Sequence, residues 1–401
     1  VEAIKDIAVL ALLVFMFKKR IQIGHVFFTC AFLFGILHHM SPVELGSAII
    51  TALVSGSSLT LFTALYLITL LEKTMRHSGS QSRLVSGLMN LSGDPRIPMA
   101  ALPAIIGLLP SPGGARFSAP LVAEASKGIQ LTGEQNAAIN YYYRHLWEFF
   151  LPLYPASLLA VEILEVPLGR FILVMLPFTV ITVFAGLFLY RDLPSSQTAA
   201  DTQQDNQAWK QVVEGLSPIA AIMILVLVFD LHILLSLVSV ITFMFFYYRI
   251  GIKQIGLMLV SALEVRLLYM VFGAIYLREV LVQSGSIEQL LGYFQDMGLS
   301  PLLIAIIFPA IIGLLTGVTI AGVSIALPVI VTLATPDNIL SLGSLAIASN
   351  IAGQMLSPMH LCLLMSVEHF SADFTGTYAR LILPEALLII FAIIYSTMLP
   401  F

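Results

Sequence analysis

Apolar runs long enough to cross a hydrocarbon layer of about 30 Å follow one another from one end of this chain to the other. This pattern decides the solvent first. Only 10% of the 401 residues are charged, against roughly a quarter in a soluble protein. No sizeable soluble domain fits between the runs, and a backbone in lipid must pair its polar groups within its own segment, as a helix does. The expected fold class is therefore an all-α membrane protein, with the lipid bilayer as its main partner.

Hydropathy puts spans near 3 to 17, 21 to 40 and 45 to 71, an interrupted segment at 97 to 125, and spans at 135 to 163 and 166 to 190. The order then recurs. Spans fall near 211 to 229, 231 to 248 and 255 to 281, an interrupted segment at 299 to 333, and spans at 340 to 367 and 378 to 400. Between the halves, residues 191 to 210 read RDLPSSQTAADTQQDNQAWK, too polar to insert, and are expected to be a flexible linker. Residues 3 to 17 are followed by Lys18, Lys19 and Arg20, where a cleavable signal would need small residues, so a retained span is expected.

The recurrence is visible in the letters. PAIIGLL occurs at Pro103 to Leu109 and again at Pro309 to Leu315, 206 positions on, and Ser78, Gly79, Ser80 recur as Ser284, Gly285, Ser286 in the same register. Two separated matches at one offset indicate duplication of a unit, 1 to 190 and 211 to 401. Loops assigned to the cytoplasm run from Lys18, Lys19 and Arg20 through Lys73, Arg76, Arg83, Arg96, Lys127, Arg191, Lys210, Arg249 and Lys253 to Arg380, while the outside keeps Lys5, Arg170 and Arg278. The positive-inside bias thus predicts an N-terminus outside and the 191 to 210 linker inside a cytoplasmic membrane. With five crossings per half, an odd number, the second unit enters the membrane in the opposite sense. The expected architecture is two inverted-topology repeats, each of about five transmembrane helices plus one re-entrant hairpin, with discontinuous helices.

Several classes fall away. A net charge of -4, with Lys and Arg confined to short loops, leaves no basic stripe for nucleic acid. Cys30 and Cys362 lie in apolar stretches without metal-type spacing, which predicts buried thiols and neither a disulfide nor a zinc site. There is no HExxH zinc motif, no GxSxG elbow and no pair of intramembrane aspartates, so the chain is not expected to be an enzyme.

The first interrupted segment carries Pro110, Ser111, Pro112, Gly113 and Gly114, followed by Arg116. Proline removes a backbone donor and paired glycines open otherwise forbidden conformations, so a continuous helix should fail there. Freed backbone groups at membrane depth are tolerated where they line a polar cavity. The second segment has Thr316, Gly317, Thr319, Gly322 and Ser324; Thr316 and Gly317 share the register of Pro110 and Ser111 and are read as the second tip. For Thr319 and Ser324 plain helix packing is an equal alternative. After each hairpin comes a span with a central asparagine, Asn140 and Asn350, ahead of Pro152 and Pro155 in one half and Ser357, Pro358 and His360 in the other. Both read as broken helices whose ends complete the cavity.

Ionisable residues inside a membrane are costly and therefore candidates. Arg116 is the first choice to pair with an anion. Arg144 and Glu148, four apart, are expected to neutralise each other, while His145, Glu148 and His360 are a possible proton relay. Glu264 and Arg266 are two apart and face different ways. Ser111, Asn140, Thr316 and Asn350 are candidates for a coupling Na+; otherwise the coupling ion is H+, and no further cofactor is expected. Short amphipathic stretches, Leu84 to Leu91 and Ile287 to Phe294, precede the hairpins.

With these residues in view, the chain resembles an uncharacterised prokaryotic integral-membrane family of the ion transporter superfamily, near the gluconate permeases. VLVQSGSIEQLL resembles the permease segment in which a small-residue turn precedes the hairpin, and NIAGQMLSPMHLCLLMSVEHF, Asn350 to Phe370, is similar to the segment holding their serine-histidine-valine-asparagine-aspartate run. Here that run reads Ser357, Pro358, Met359, His360, Leu361, so sugar-acid specificity does not carry across. The resemblance implies a scaffold domain and a moving transport domain, commonly dimeric, that carries small organic anions with sodium or protons. An ion channel and an intramembrane enzyme are the alternatives.

Overall fold

The computed structural model describes residues 2–19, 21–91, 94, 96–108, 114–127, 129, 131–191 and 206–399. Among them there is no strand; the chain is a bundle of helices. Its outside is apolar: Phe243, Phe246, Ile252, Val260 and Leu173 are exposed, while Asn140, Arg144, Gln354 and Ser357 are buried. Such a distribution is unfavourable in water and natural in lipid. Four helices, Leu168–Tyr190, Gln207–Leu227, Ile252–Gln283 and Phe374–Met398, are long and apolar enough to cross a membrane, and Pro42–Val54 with Gly56–His77, bent by 47° at their junction, would make a fifth.

The expected spans appear as helices, several of them shorter or broken. The run at 21 to 40 yields Ile23–Leu37, and that at 231 to 248 yields Ile233–Tyr247. The run at 45 to 71 is divided at Ser55, whose side chain caps the second piece by accepting from Ser58 N–H at 3.2 Å. The run at 255 to 281 divides into Ile252–Ser261 and Val265–Gln283. Of the linker expected over 191 to 210, residues 192 to 205 lie outside the described residues, and residues 206 to 210 belong to Asn206–Leu227. Ala208 and Val212 bury one face of that helix and Trp209 faces out, an amphipathic pattern that the polar letters of the segment conceal.

The duplicated tripeptides adopt one conformation. Gly79 and Gly285 have φ of 73° and 71°, and Ser78 and Ser284 hydrogen-bond through their hydroxyls to Ser80 and Ser286 at 2.8 and 2.6 Å. Each turn launches one of the amphipathic stretches as a helix, Ser80–Leu91 and Ser286–Asp296. Glu264, at the start of Val265–Gln283, pairs with Lys73 at 3.5 Å at the partly exposed edge of the bundle.

Two helix pairs occupy the interrupted segments: Arg96–Gly107 with Ala115–Ala125, and Pro301–Thr316 with Thr319–Leu333. Pro301–Thr316 packs against Ile339–Met355 at backbone distance; a Cβ on Gly353 would stand 2.0 Å from the carbonyl oxygen of Ala310. Small residues that let helix backbones meet are the usual means of association in lipid.

The helix Gly133–Tyr143 starts on a capping box in which Thr132 accepts from Gln135 N–H and Gln135 returns the bond. Glu134, in its first turn, accepts from the N–H of Asp373 at 3.0 Å, and Asp373 in turn caps Phe374–Met398. That bond from the Asp373 amide, with help from Thr132, holds the Glu134 carboxyl at about 2, below its ordinary 4.5. A depressed folded value contributes stability above the unfolded one, lost as pH falls through the folded one. We therefore expect Glu134→Gln to lower the melting temperature at neutral pH, and the difference from wild type to shrink steadily between pH 5 and pH 2. A pH-independent difference would dissociate the carboxylate from the effect.

Candidate functional site

The helix that begins at Gly133 stops at Tyr143, and residues 144 to 154 run as successive turns until Pro155 opens Pro155–Leu164. Prolines 152 and 155 exclude a continuous ladder here. The freed carbonyls are met by side chains instead. Thr179 donates to Leu146 O at 2.6 Å and Ser157 to Glu148 O at 3.2 Å. The turns are anchored to the first helix pair by Trp147, which donates to Ala104 O at 2.7 Å, and by the Tyr154 hydroxyl on Gly107 O. In the other half Ile339–Met355 ends at Met355, and Leu361–His369 starts after His360. Tyr141 donates to Met355 O at 3.1 Å, so one broken helix closes the end of the other.

Between the breaks lies a closed polar cluster. Glu148 Oε2 accepts from Gln354 Nε2 at 2.8 Å and from the Thr319 hydroxyl at 2.8 Å. The same hydroxyl also stands against Gln354 Oε1. Thr319 has one proton for these two oxygens, so the triangle is one donor short of closing. The other carboxylate oxygen, Glu148 Oε1, is 3.9 Å from His145 Nε2. His145 Nδ1 donates to Tyr141 O at 2.7 Å, and its Nε2 faces His360 Nε2 at 3.1 Å. All five side chains are buried.

The cluster touches both helix pairs. A Cβ added to Gly114 would fall 2.0 Å from the Arg144 guanidinium, so that group occupies the space at the start of Ala115–Ala125. On the opposite side Gly317, with φ of 66°, ends Pro301–Thr316 in the left-handed region; a Cβ there would meet His360 N at 2.9 Å and Ser357 Oγ at 3.0 Å. Glycine meets both demands. Thr316 turns its hydroxyl back to Ile312 O at 2.8 Å. Ser357 Oγ accepts from Met359 N–H at 3.2 Å.

The two central asparagines are used alike. Asn140 Nδ2 donates to Ala115 O at 3.2 Å and to Ser366 Oγ at 2.8 Å; Asn350 Nδ2 donates to Thr319 O at 2.9 Å. Each reaches the first residue of a pair's second arm. The Oδ1 atoms of both are buried, and among the described residues neither accepts a hydrogen bond. An orphaned acceptor in the interior is costly, and a bound water or ion is one way it is satisfied.

Of the residues singled out from the sequence, Gly114, Asn140, His145, Glu148, Thr316, Gly317, Thr319, Asn350, Ser357 and His360 border this region, and Ser324 is buried with its hydroxyl on Ala321 O. Ser111, Pro112 and Gly113 lie outside the described residues. Arg116 is exposed on Ala115–Ala125, away from the buried polar groups, because the helix turns positions 116 and 117 outward while 115, 118 and 119 face in. Arg144, read as a partner for Glu148 only, is the guanidinium inside. Sequence reasoning missed Tyr141, Gln354 and Glu385. Gln354 follows Asn350 by one helical turn, a signal that was present; Glu385 is a single acid in the apolar run of Phe374–Met398, fully buried, with Oε2 unbonded.

The fold and this interior define a multi-pass membrane protein that keeps its polar groups in a closed central cluster. The chain belongs to the DUF401 family of proteins of unknown function, whose profile matches residues 5–398. No curated protein matches it.

Proposed function

We propose that the chain is a secondary active transporter that moves a small organic anion, of the carboxylate class, across the cytoplasmic membrane by elevator-type alternating access, coupled to Na+ or H+. The observation that carries this reading is the paired use of Asn140 and Asn350, each binding the start of one helix-pair arm and each leaving a buried oxygen unbonded. In the 206-residue register Gly107 and Gly313 correspond, and they lie against the backbone carbonyls of Arg144 and Asn350, also 206 apart, as an inverted repeat would require. The matched turns at Gly79 and Gly285 support the same duplication. Helix starts at Ala115, Thr319 and Leu361 border the cluster and, with Arg144, offer positive potential to an anion.

The unbonded asparagine oxygens suit a hard cation such as sodium, while the missing donor in the Glu148 triangle suits a proton. A closed cluster is a poor channel, and neither a pore nor an intramembrane hydrolase accounts for two asparagines that each bind the start of a helix-pair arm. The partners read here are the anion and a second copy of the chain in a homodimer.

Thermal stabilisation of purified protein against a panel of carboxylates, with and without sodium, tests the proposal. A ligand present at 100 times its Kd should add about 2.7 kcal/mol. We expect selective stabilisation by one group of carboxylates, enhanced by sodium or by lowered pH, and concentrative uptake of the same compounds into proteoliposomes. Flat responses across the panel, or single-channel currents, would sink it.

A further inference from the structure

Three donor groups converge at the junction of the broken helices, with a carboxylate beside one of them. His145 Nε2 and His360 Nε2 stand 3.1 Å apart, Cys362 Sγ lies within 4.8 Å of ligand atoms of both, and Glu148 Oε1 is 3.9 Å from His145 Nε2. All four residues are buried. Bonds of about 2.0–2.3 Å to a tetrahedral ion put ligand atoms roughly 3.3–3.8 Å apart, so an ion at the centre needs shifts of about an ångström.

The orientation of the imidazoles lets both Nε2 atoms face one ion. His145 Nδ1 must carry hydrogen, because it donates to the Tyr141 carbonyl at 2.7 Å. Its Nε2 is then a lone pair aimed at His360. A backbone carbonyl behind the ligating ring is the usual support of a metal-bound histidine. Without an ion, His360 donates from Nε2 to His145; its Nδ1 has no hydrogen-bond partner among the described residues in either tautomer. With an ion, His360 shifts its hydrogen to Nδ1 and both Nε2 lone pairs coordinate.

The Tyr141 ring stands edge-on to both imidazoles, with centroids 4.8 and 5.2 Å away, and fixes their planes. Cys362 sits in the first turn of Leu361–His369, where the helix dipole favours a negative ligand. In sequence the four residues have no recognisable spacing, because they come from two breaks more than two hundred residues apart.

We propose that His145, His360 and Cys362 bind one divalent transition-metal ion of the zinc class, with the Glu148 carboxylate beside His145. Two imidazoles and a thiolate discriminate against magnesium, calcium and sodium, which take oxygen ligands. On binding, the Cys362 thiol gives up its proton to solvent as sulfur bonds the ion; His360 changes tautomer without net proton release. The proposal goes beyond anion transport and stands or falls separately from it.

The test uses tag-free, full-length protein in detergent, stripped with a chelator and titrated with Co²⁺. One equivalent should produce intense tetrahedral cobalt absorption with a thiolate-to-cobalt charge-transfer band, displaced by Zn²⁺. Cys362→Ser should abolish the charge-transfer band and weaken zinc binding at least about tenfold, while Cys30→Ser, at the other buried thiol, should retain both. Folding of each variant is followed by size-exclusion chromatography. Absence of the band in folded wild-type protein overturns the proposal whatever the variants do, and so does a band that survives Cys362→Ser. Either result leaves the carboxylate screen unaffected, and a failed screen leaves the cobalt spectrum unaffected.

Discussion

Glu148→Ala is expected to abolish ligand-induced stabilisation and to destabilise the unliganded protein by about 3–5 kcal/mol, the usual cost of removing one partner from a buried charged network. The carboxylate is the acceptor on which the cluster is organised: Gln354 Nε2 and the Thr319 hydroxyl both point at Oε2. Its removal strands those donors in the interior. Glu148→Gln separates the two roles. Its amide oxygen can still accept from Gln354 or Thr319, so most of the stability should return, whereas the charge and the titratable proton are gone. In proteoliposomes the glutamine variant should therefore be folded and inactive in coupled uptake. A glutamine variant that transports normally and keeps the wild-type pH profile would remove Glu148 from the coupling site.

The second large effect is steric. Gly353→Val should prevent Pro301–Thr316 from seating on Ile339–Met355, since even the first carbon of the new side chain lies 2.0 Å from the Ala310 carbonyl oxygen. Backbone atoms cannot rotate away as a side chain would, so the helices must separate. Overpacking of this kind costs about 1–3 kcal/mol and more when the obstacle is main chain. Gly353 is one position before Gln354, so the displacement also pulls the amide from Glu148. We expect a fall in melting temperature together with loss of binding for every ligand that stabilises wild type, and Gly353→Ala should give a weaker form of the same defect. Gly292→Ala, where an added Cβ meets nothing within 4 Å, should leave both measurements near wild type. Unchanged stability in Gly353→Val would mean that the two helices do not meet as described.

Much of the interior was legible because the same letters occur twice. The repeated Ser-Gly-Ser and PAIIGLL runs located both turns and both helix pairs, and their register pointed to Gly317, which does end a helix in the left-handed region. Asn140 and Asn350 were legible as polar residues at matched places in apolar spans. Arg116 was chosen because it is adjacent to the glycines, but on a helix one step along the chain is a rotation of 100°, and that rotation carries it outward. Arg144 occupies the interior because the helix has already ended and the turn can direct it toward Gly114. The same cause hid the association of Cys362 with the histidines. Helical spacing rules apply within helices, and these residues meet where helices stop.

The brevity of Ile23–Leu37 and Ile233–Tyr247 has a consequence for the surroundings. Each has 15 residues, a rise of roughly 22 Å at 1.5 Å per residue, well short of the thickness of an ordinary bilayer. Both present apolar faces outward, through Phe32 and Ile36 in one and Phe243 and Phe246 in the other. Where such a face meets lipid, the mismatch is taken up by thinning of the bilayer beside it, by flanking side chains that reach to the interface or by contact with a second chain, each at a modest cost per ångström.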